Sequence, residues 1–133
     1  MFRAIFFDLD ETLLDRSRSL LRFIEFQYKV YKASLKHIPL HRWQQRFVEL
    51  DEKGYVCKKI IYTRLLEEFK VQSFSMQELY AHYLHSFAPH CVPMKEMEET
   101  VRSLRSAGKK VGIITNGLTE FQTRNIKQLG LLP

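Results

Sequence analysis

The chain has 133 residues, 45% hydrophobic and 27% charged, the size and make-up of one ordinary globular domain and not of a disordered or fibrous polymer. It contains no 18-residue apolar run to span a bilayer, and its start, MFRAIFFDLD, turns acidic where a secretory leader would carry small residues; the expectation is a soluble, cytoplasmic protein. The net charge of +6 is uneven, because residues 16–90 hold 13 Lys and Arg against 7 Asp and Glu while the remaining positions hold 8 of each.

All five histidines fall in the same basic stretch. The shift in composition predicts a division into a core made of residues 1–15 and 92–133 and an inserted unit of residues 16–91. Cys57 and Cys91 lie far apart in a chain with no export signal, which predicts two free thiols, buried or half-buried, and no disulfide.

In chain order, the first element is the apolar run AIFFD ending in acids. Apolar residues of both parities suit a strand buried on both faces of a parallel sheet. Leu20, Phe23, Ile24, Tyr28, Tyr31, Leu35 and Ile38 then recur at three- and four-residue steps, the stripe of a helix that Pro39 stops. Trp43, Phe47 and Leu50 continue the pattern until Gly54 breaks it, and Ile61, Leu65 and Leu66 open a third helix. Ser75 with Glu78 is a capping-box signature ahead of Leu79, Tyr83, Leu84 and Phe87. These four helices predict a small bundle with Phe23, Tyr28, Tyr31 and Trp43 in its core. Beyond Pro93, Met97, Val101 and Leu104 mark a helix that Gly108 ends, and KVGIIT, residues 110–115, reads as a second buried strand. Strand, helix, strand is a parallel crossover with the bundle inserted in its first loop.

AIFFDLDETLLD, residues 4–15, sets four acids within eight positions at the end of the first strand. Asp8 and Asp10 are two residues apart and so point to one side, at the strand end where open parallel sheets carry their ligands. Carboxylates so placed repel one another and lose solvation, which a cation relieves. Mg²⁺ fits best: it takes hard oxygen ligands and meets phosphates through one or two protein carboxylates. The second strand ends in TNG, where the Thr115 hydroxyl, the Asn116 amide and the backbone N–H groups around Gly117 suit phosphate oxygens. The plain competing reading has the acids capping a strand and a turn. His82, His85, His90 and Cys91 raise a zinc reading, against which surface histidines on a bundle are the stronger expectation.

DLDET after an apolar strand, followed beyond a helical insertion by IITNG, resembles the haloacid dehalogenase (HAD) superfamily, and GIITNGLTEFQTRNIKQLGL is similar to the branch that includes pyrimidine nucleotidases. The resemblance implies an α/β fold: a Rossmann-like parallel sheet, partial here, with a four-helix cap inserted after the first strand. It also implies a Mg²⁺-dependent phosphomonoester hydrolase acting on small phosphorylated metabolites or nucleotides. In that family's pattern Asp8 is the nucleophile, Asp10 the acid and base, and Thr115, with Asn116 and Gly117, the phosphate grip, while Asp8 and Asp10 hold the metal. An aspartate at position 10 also favours a phosphatase over a dehalogenase, because a carbon–halogen bond needs no acid for its leaving group.

The same resemblance implies a third motif with a lysine and a fourth with metal-binding acids, which the sequence after Asn116 does not supply. Glu120 is the only acid there, Lys127 lies about 16 Å along a helix, and Lys109 and Lys110 begin the strand whose far end carries Thr115. Three readings stay open: an enzyme fragment of impaired turnover, an enzyme completed by another chain or a second copy, and a non-catalytic protein whose basic cap binds an anionic partner. Nucleic acid and membrane are not expected partners. Self-association through the open sheet edge is.

Overall fold

In the computed structural model, which describes residues 3–131, β1 (Ala4–Asp8) and β2 (Lys110–Ile114) pair in parallel. Ala4 lies opposite Lys110 and Asp8 opposite Ile114, so the two strands finish at the same end of the sheet. The expectation of burial on both faces is corrected: Phe6 is 66% and Ile114 61% exposed. Aromatic and β-branched residues still suit the pleat, but α6 (Met97–Ser106), which packs against β2 through a face that buries Met97 and Val101, covers only part of a two-stranded sheet. Gly108 ends that helix with φ +78°; Gly108 N–H and Lys109 N–H return to the carbonyls of Arg105 and Leu104, each at 3.0 Å, and the chain turns into β2. After β2 comes α7 (Thr119–Gln128).

The chain divides into two units, Met1–Leu20 with Ala88–Pro133, and Leu21–Phe87. The first unit contains the sheet, α6 and α7. Its apolar interior includes Leu9, Leu13, Leu14, Met97, Val101 and Leu129. Ser19 joins two of its segments: its Oγ donates to the Asp15 carbonyl (2.6 Å) and accepts from Val92 N–H (2.7 Å).

The second unit is helical, and its elements are α1 (Arg16–Val30, which begins in the first unit), α2 (Lys32–Leu35), α3 (Leu40–Asp51), α4 (Lys58–Glu68) and α5 (Met76–Ser86). The single stripe predicted from Leu20 to Ile38 is two helices. Tyr31 leaves the helical region at φ −99°, ψ 19°, and the Tyr28 hydroxyl donates to the Ile38 carbonyl at 2.5 Å, which ties the returning chain back onto α1. Pro39 separates α2 from α3 as expected, and Ser75 Oγ caps α5 by accepting from Glu78 N–H at 3.2 Å. Phe23, Trp43, Phe47, Tyr62 and Leu79 are fully buried, whereas Tyr28 and Tyr31 are half-buried.

Two polar groups are built into this helical core. Gln27 Nε2 donates to the Leu79 carbonyl (3.2 Å), and its Oε1 accepts from the Tyr62 hydroxyl (2.8 Å). Asp51, at the end of α3, pairs with Lys58, at the start of α4, at 2.8 Å. His82 Nδ1 lies 3.1 Å from Gln27 Nε2, and its ring stacks on Phe26 at 5.8 Å. Among the described residues no three His, Cys, Asp or Glu side chains come together as a metal-holding group. Both cysteines are free thiols; Cys91 is buried, but Cys57, the residue before α4, is exposed, a correction to the expectation for that thiol. No helix of the described residues is long and apolar enough to cross a membrane.

Candidate active site

The four acids at the end of β1 and just beyond it divide into two pairs. Leu9 is fully buried, and its carbonyl accepts N–H groups from Thr12, Leu13 and Leu14 at 3.3, 3.0 and 2.9 Å, so the chain wraps tightly just beyond the strand. Glu11 adopts φ +62° within this turn and sends its carboxylate to the start of α1, where Oε1 accepts from Ser17 N–H (2.8 Å) and Oε2 from Ser17 Oγ (3.3 Å). Asp15 Oδ1 accepts from Arg18 N–H at 3.0 Å. Glu11 and Asp15 thus satisfy the unpaired donors of a helix start and complement its dipole. Asp8 and Asp10, on either side of the buried Leu9, make neither of these helix-start contacts.

The end of β2 meets them through α7. Register brings Ile114 beside Asp8, and Thr115 follows. Gln122, in the first turns of α7, is buried, and its Nε2 donates to Asp10 Oδ2 at 3.3 Å and to Thr115 Oγ1 at 3.1 Å. Asn125 Nδ2 donates to Gln122 Oε1 at 3.0 Å and holds the amide in place. Gly117 makes room for this side chain: a Cβ there would stand 2.5 Å from Gln122 Nε2 and 2.6 Å from its Cγ. The Gly117 N–H points back to Thr115 Oγ1 at 3.5 Å, whereas Asn116 is exposed beside it. Of the residues predicted for the site, Asp10, Thr115 and Gly117 are linked by hydrogen bonds, Asp10 to Thr115 through Gln122, and Asp8 lies close enough for its charge to act on Asp10.

Burial pushes the Asp10 carboxyl above the usual carboxylate range. The Arg16 charge and the Gln122 hydrogen bond draw it back, and the neighbouring charges of Asp8 and Glu11 push it further up. Asp8 and Asp10, whose charges act on one another, offer hard oxygens of the kind that Mg²⁺ takes.

Gln122 and Asn125 are the site residues that sequence reasoning passed over. Their signal is the spacing of Gln122, Asn125 and Leu129, at i, i+3 and i+7, which is that of a buried helical stripe. Two amides on such a stripe call for internal partners.

Parallel strands that end together, with acids on one and a hydroxyl beyond the next, make this an α/β protein, a class that binds its ligands at the carboxyl edge of the sheet. A family model for haloacid dehalogenase-like hydrolases matches residues 2–133, and the chain belongs to that family. It is 27% identical over 132 residues to the phosphoglycolate phosphatase of Aquifex aeolicus (strain VF5), across 97% of this chain and 56% of that protein. Among solved structures, a HAD family hydrolase from Deinococcus radiodurans R1 with bound phosphate and sodium shares the fold at a TM-score of 0.61 and 20% identity, covering 98% of this chain and 53% of the other. A dehalogenase shares it at 0.52 and 23%, covering 96% and 57%. The chain therefore spans little more than half the length of the relatives it matches.

Proposed function

We propose that the site belongs to a Mg²⁺-dependent phosphomonoester hydrolase that works through an aspartyl-phosphate on Asp8. The observation that carries this reading is the meeting of Asp10 and Thr115 on one buried amide, beside the Asp8 carboxylate. In the first step an Asp8 oxygen attacks phosphorus in line and the P–O bond to the alcohol breaks. Asp10 gives its proton to the departing oxygen, a role favoured by the raised proton affinity that burial confers. In the second step Asp10 takes a proton from water, the water oxygen attacks phosphorus, and the Asp8–phosphorus bond breaks to release inorganic phosphate. Thr115 holds a phosphoryl oxygen throughout, aided by Asn116 and the backbone around Gly117. Asp8 and Asp10 would hold Mg²⁺, whose chemistry is to neutralise charge between nucleophile and phosphate.

The substrates in this reading are small phosphorylated metabolites or nucleotides. The Aquifex relative, named for its action on phosphoglycolate, supports that size class. A cytoplasmic setting is part of the reading, supported by two free thiols. A second copy of the chain is a proposed partner, because Phe6, Ile114 and Leu118 are exposed apolar groups on or beside an open-edged sheet.

Hydrolysis of p-nitrophenyl phosphate by the purified chain, with Mg²⁺ and with excess chelator, tests the proposal. Turnover that needs Mg²⁺ and vanishes in Asp8→Asn is expected. Turnover unaffected by both changes contradicts it.

A further inference from the structure

Gln122 Nε2 carries two hydrogens and has two acceptors, Asp10 Oδ2 at 3.3 Å and Thr115 Oγ1 at 3.1 Å. Its Oε1 accepts from Asn125 Nδ2 at 3.0 Å, and the Asp10 carboxylate, an acceptor, requires the Nε2 end of the amide toward the strand ends. Thr115 Oγ1 also faces the Gly117 N–H, at 3.5 Å. A hydroxyl has two acceptor lone pairs and one donor. With both lone pairs turned to N–H groups, the Thr115 proton is the part left to meet a phosphoryl oxygen. On Asp10, Oδ2 is engaged as an acceptor, so Oδ1 is the oxygen that Gln122 leaves open.

A leucine would fill the same stripe of α7 without the desolvation that a buried amide brings. Gln122 is only 5% and Asn125 1% exposed, and Asn125 Oδ1 has no hydrogen-bond partner among the described residues. The fold thus accepts one unsatisfied acceptor while presenting Asn125 Nδ2 to Gln122. Gly117 adds a second accommodation, since any side chain there would collide with the glutamine.

We propose that Gln122 is a positioning residue of the phosphoryl-transfer site: it fixes the spacing of Asp10 and Thr115 and the direction of their hydrogen bonds, so that Thr115 donates to phosphate and Asp10 turns Oδ1 to the site. The assignment of a role in turnover rests on the hydrolase reading above. The tie between the three side chains does not.

The test has two parts. By NMR, the Gln122 side-chain amide protons of the wild-type chain should exchange slowly with solvent, and their resonances should move in both Thr115→Val and Asp10→Ala. With p-nitrophenyl phosphate and Mg²⁺, Gln122→Met, which keeps length and removes the amide, should lower kcat on the order of ten- to a hundredfold, the usual effect of losing a group that orients a reacting one. The fall in kcat should exceed any rise in KM. Unchanged kcat in Gln122→Met, or amide protons that respond to neither neighbour, overturns the proposal. If Gln122→Met does not fold, Gln122→Leu, which fills the same stripe without the amide, makes the same kinetic test. A wild-type chain without turnover counts against the hydrolase reading alone. The amide resonances then decide the positioning by themselves, movement in both variants supporting it and movement in neither overturning it.

Discussion

Asp10 and Thr115, which follow different strands, bond to the same nitrogen, Gln122 Nε2, at 3.3 and 3.1 Å. The pairing of β1 with β2 brings the strand ends together, but α7 sets the distance between the two functional groups. A site assembled this way is coupled: disturbing Asp10 or Thr115 leaves Nε2 with one acceptor instead of two.

Thr115→Val keeps the shape of the side chain and removes its hydroxyl. A hydrogen bond to a charged group contributes about 1.5–3 kcal/mol, so affinity for inorganic phosphate should fall roughly ten- to a hundredfold, with every phosphoester weakened alike. Titration of the variant with inorganic phosphate measures this. A change in selectivity among phosphoesters at unchanged phosphate affinity contradicts the role given to Thr115.

The features legible in the sequence are those written locally. The acid-tipped strand, the TNG turn after KVGIIT, the stop at Pro39, the Ser75 cap and the glycine ending α6 each depend on a few adjacent residues, and the structure has all of them. Glu11 was not separable from Asp8 and Asp10 by sequence, because only the φ of +62° turns its carboxylate toward α1. The break at Tyr31 was hidden by an apolar spacing that runs through it unchanged. Gln122 was missed because its value lies in partners from two distant strands, and no local pattern states which groups a buried amide will meet.

The ion pair of Asp51 and Lys58 is the deepest charge in the helical unit. With side chains 2% and 10% exposed and 2.8 Å apart, the pair is well desolvated, and Lys58 also lies over the Tyr83 ring at 5.3 Å. Asp51→Ala leaves a buried ammonium without its carboxylate and should lower stability by about 3–5 kcal/mol. Arg46, whose pairs with Glu49 and Glu68 are solvent-exposed, should matter far less when replaced. Urea denaturation of both variants makes the comparison, and equal midpoints contradict it.

His82 gives the helical unit a pH dependence. Packed on Phe23 and Phe26 and facing Gln27, its imidazole is desolvated, and its proton affinity is lowered in the folded state. Below the unfolded value of about 6.5 the unfolded chain binds the proton more readily. Stability from this group is therefore full above about 6.5 and declines as pH falls from there toward the lowered folded value. Thermal melts of wild type and His82→Phe should run parallel above that pH, and the wild type should lose Tm relative to the variant as pH falls below it. Curves that stay parallel on both sides rule out the contribution.

The exposed Phe6 and Ile114 beside unpaired strand edges predict concentration-dependent self-association. Light scattering should report a mass rising with concentration and a smaller rise in Phe6→Lys. A strictly monomeric wild-type chain contradicts the proposed second copy.

In the proposed reaction Asp8 carries the phosphoryl group. Rapid acid quenching of the chain during turnover of p-nitrophenyl phosphate with Mg²⁺, followed by peptide mass spectrometry, reads this directly. The expected result is a phosphoryl adduct on Asp8, absent from Asp8→Asn and accumulating in Asp10→Asn, which lacks the base for the second step. Turnover with no adduct, or with the adduct on any other residue, contradicts the account.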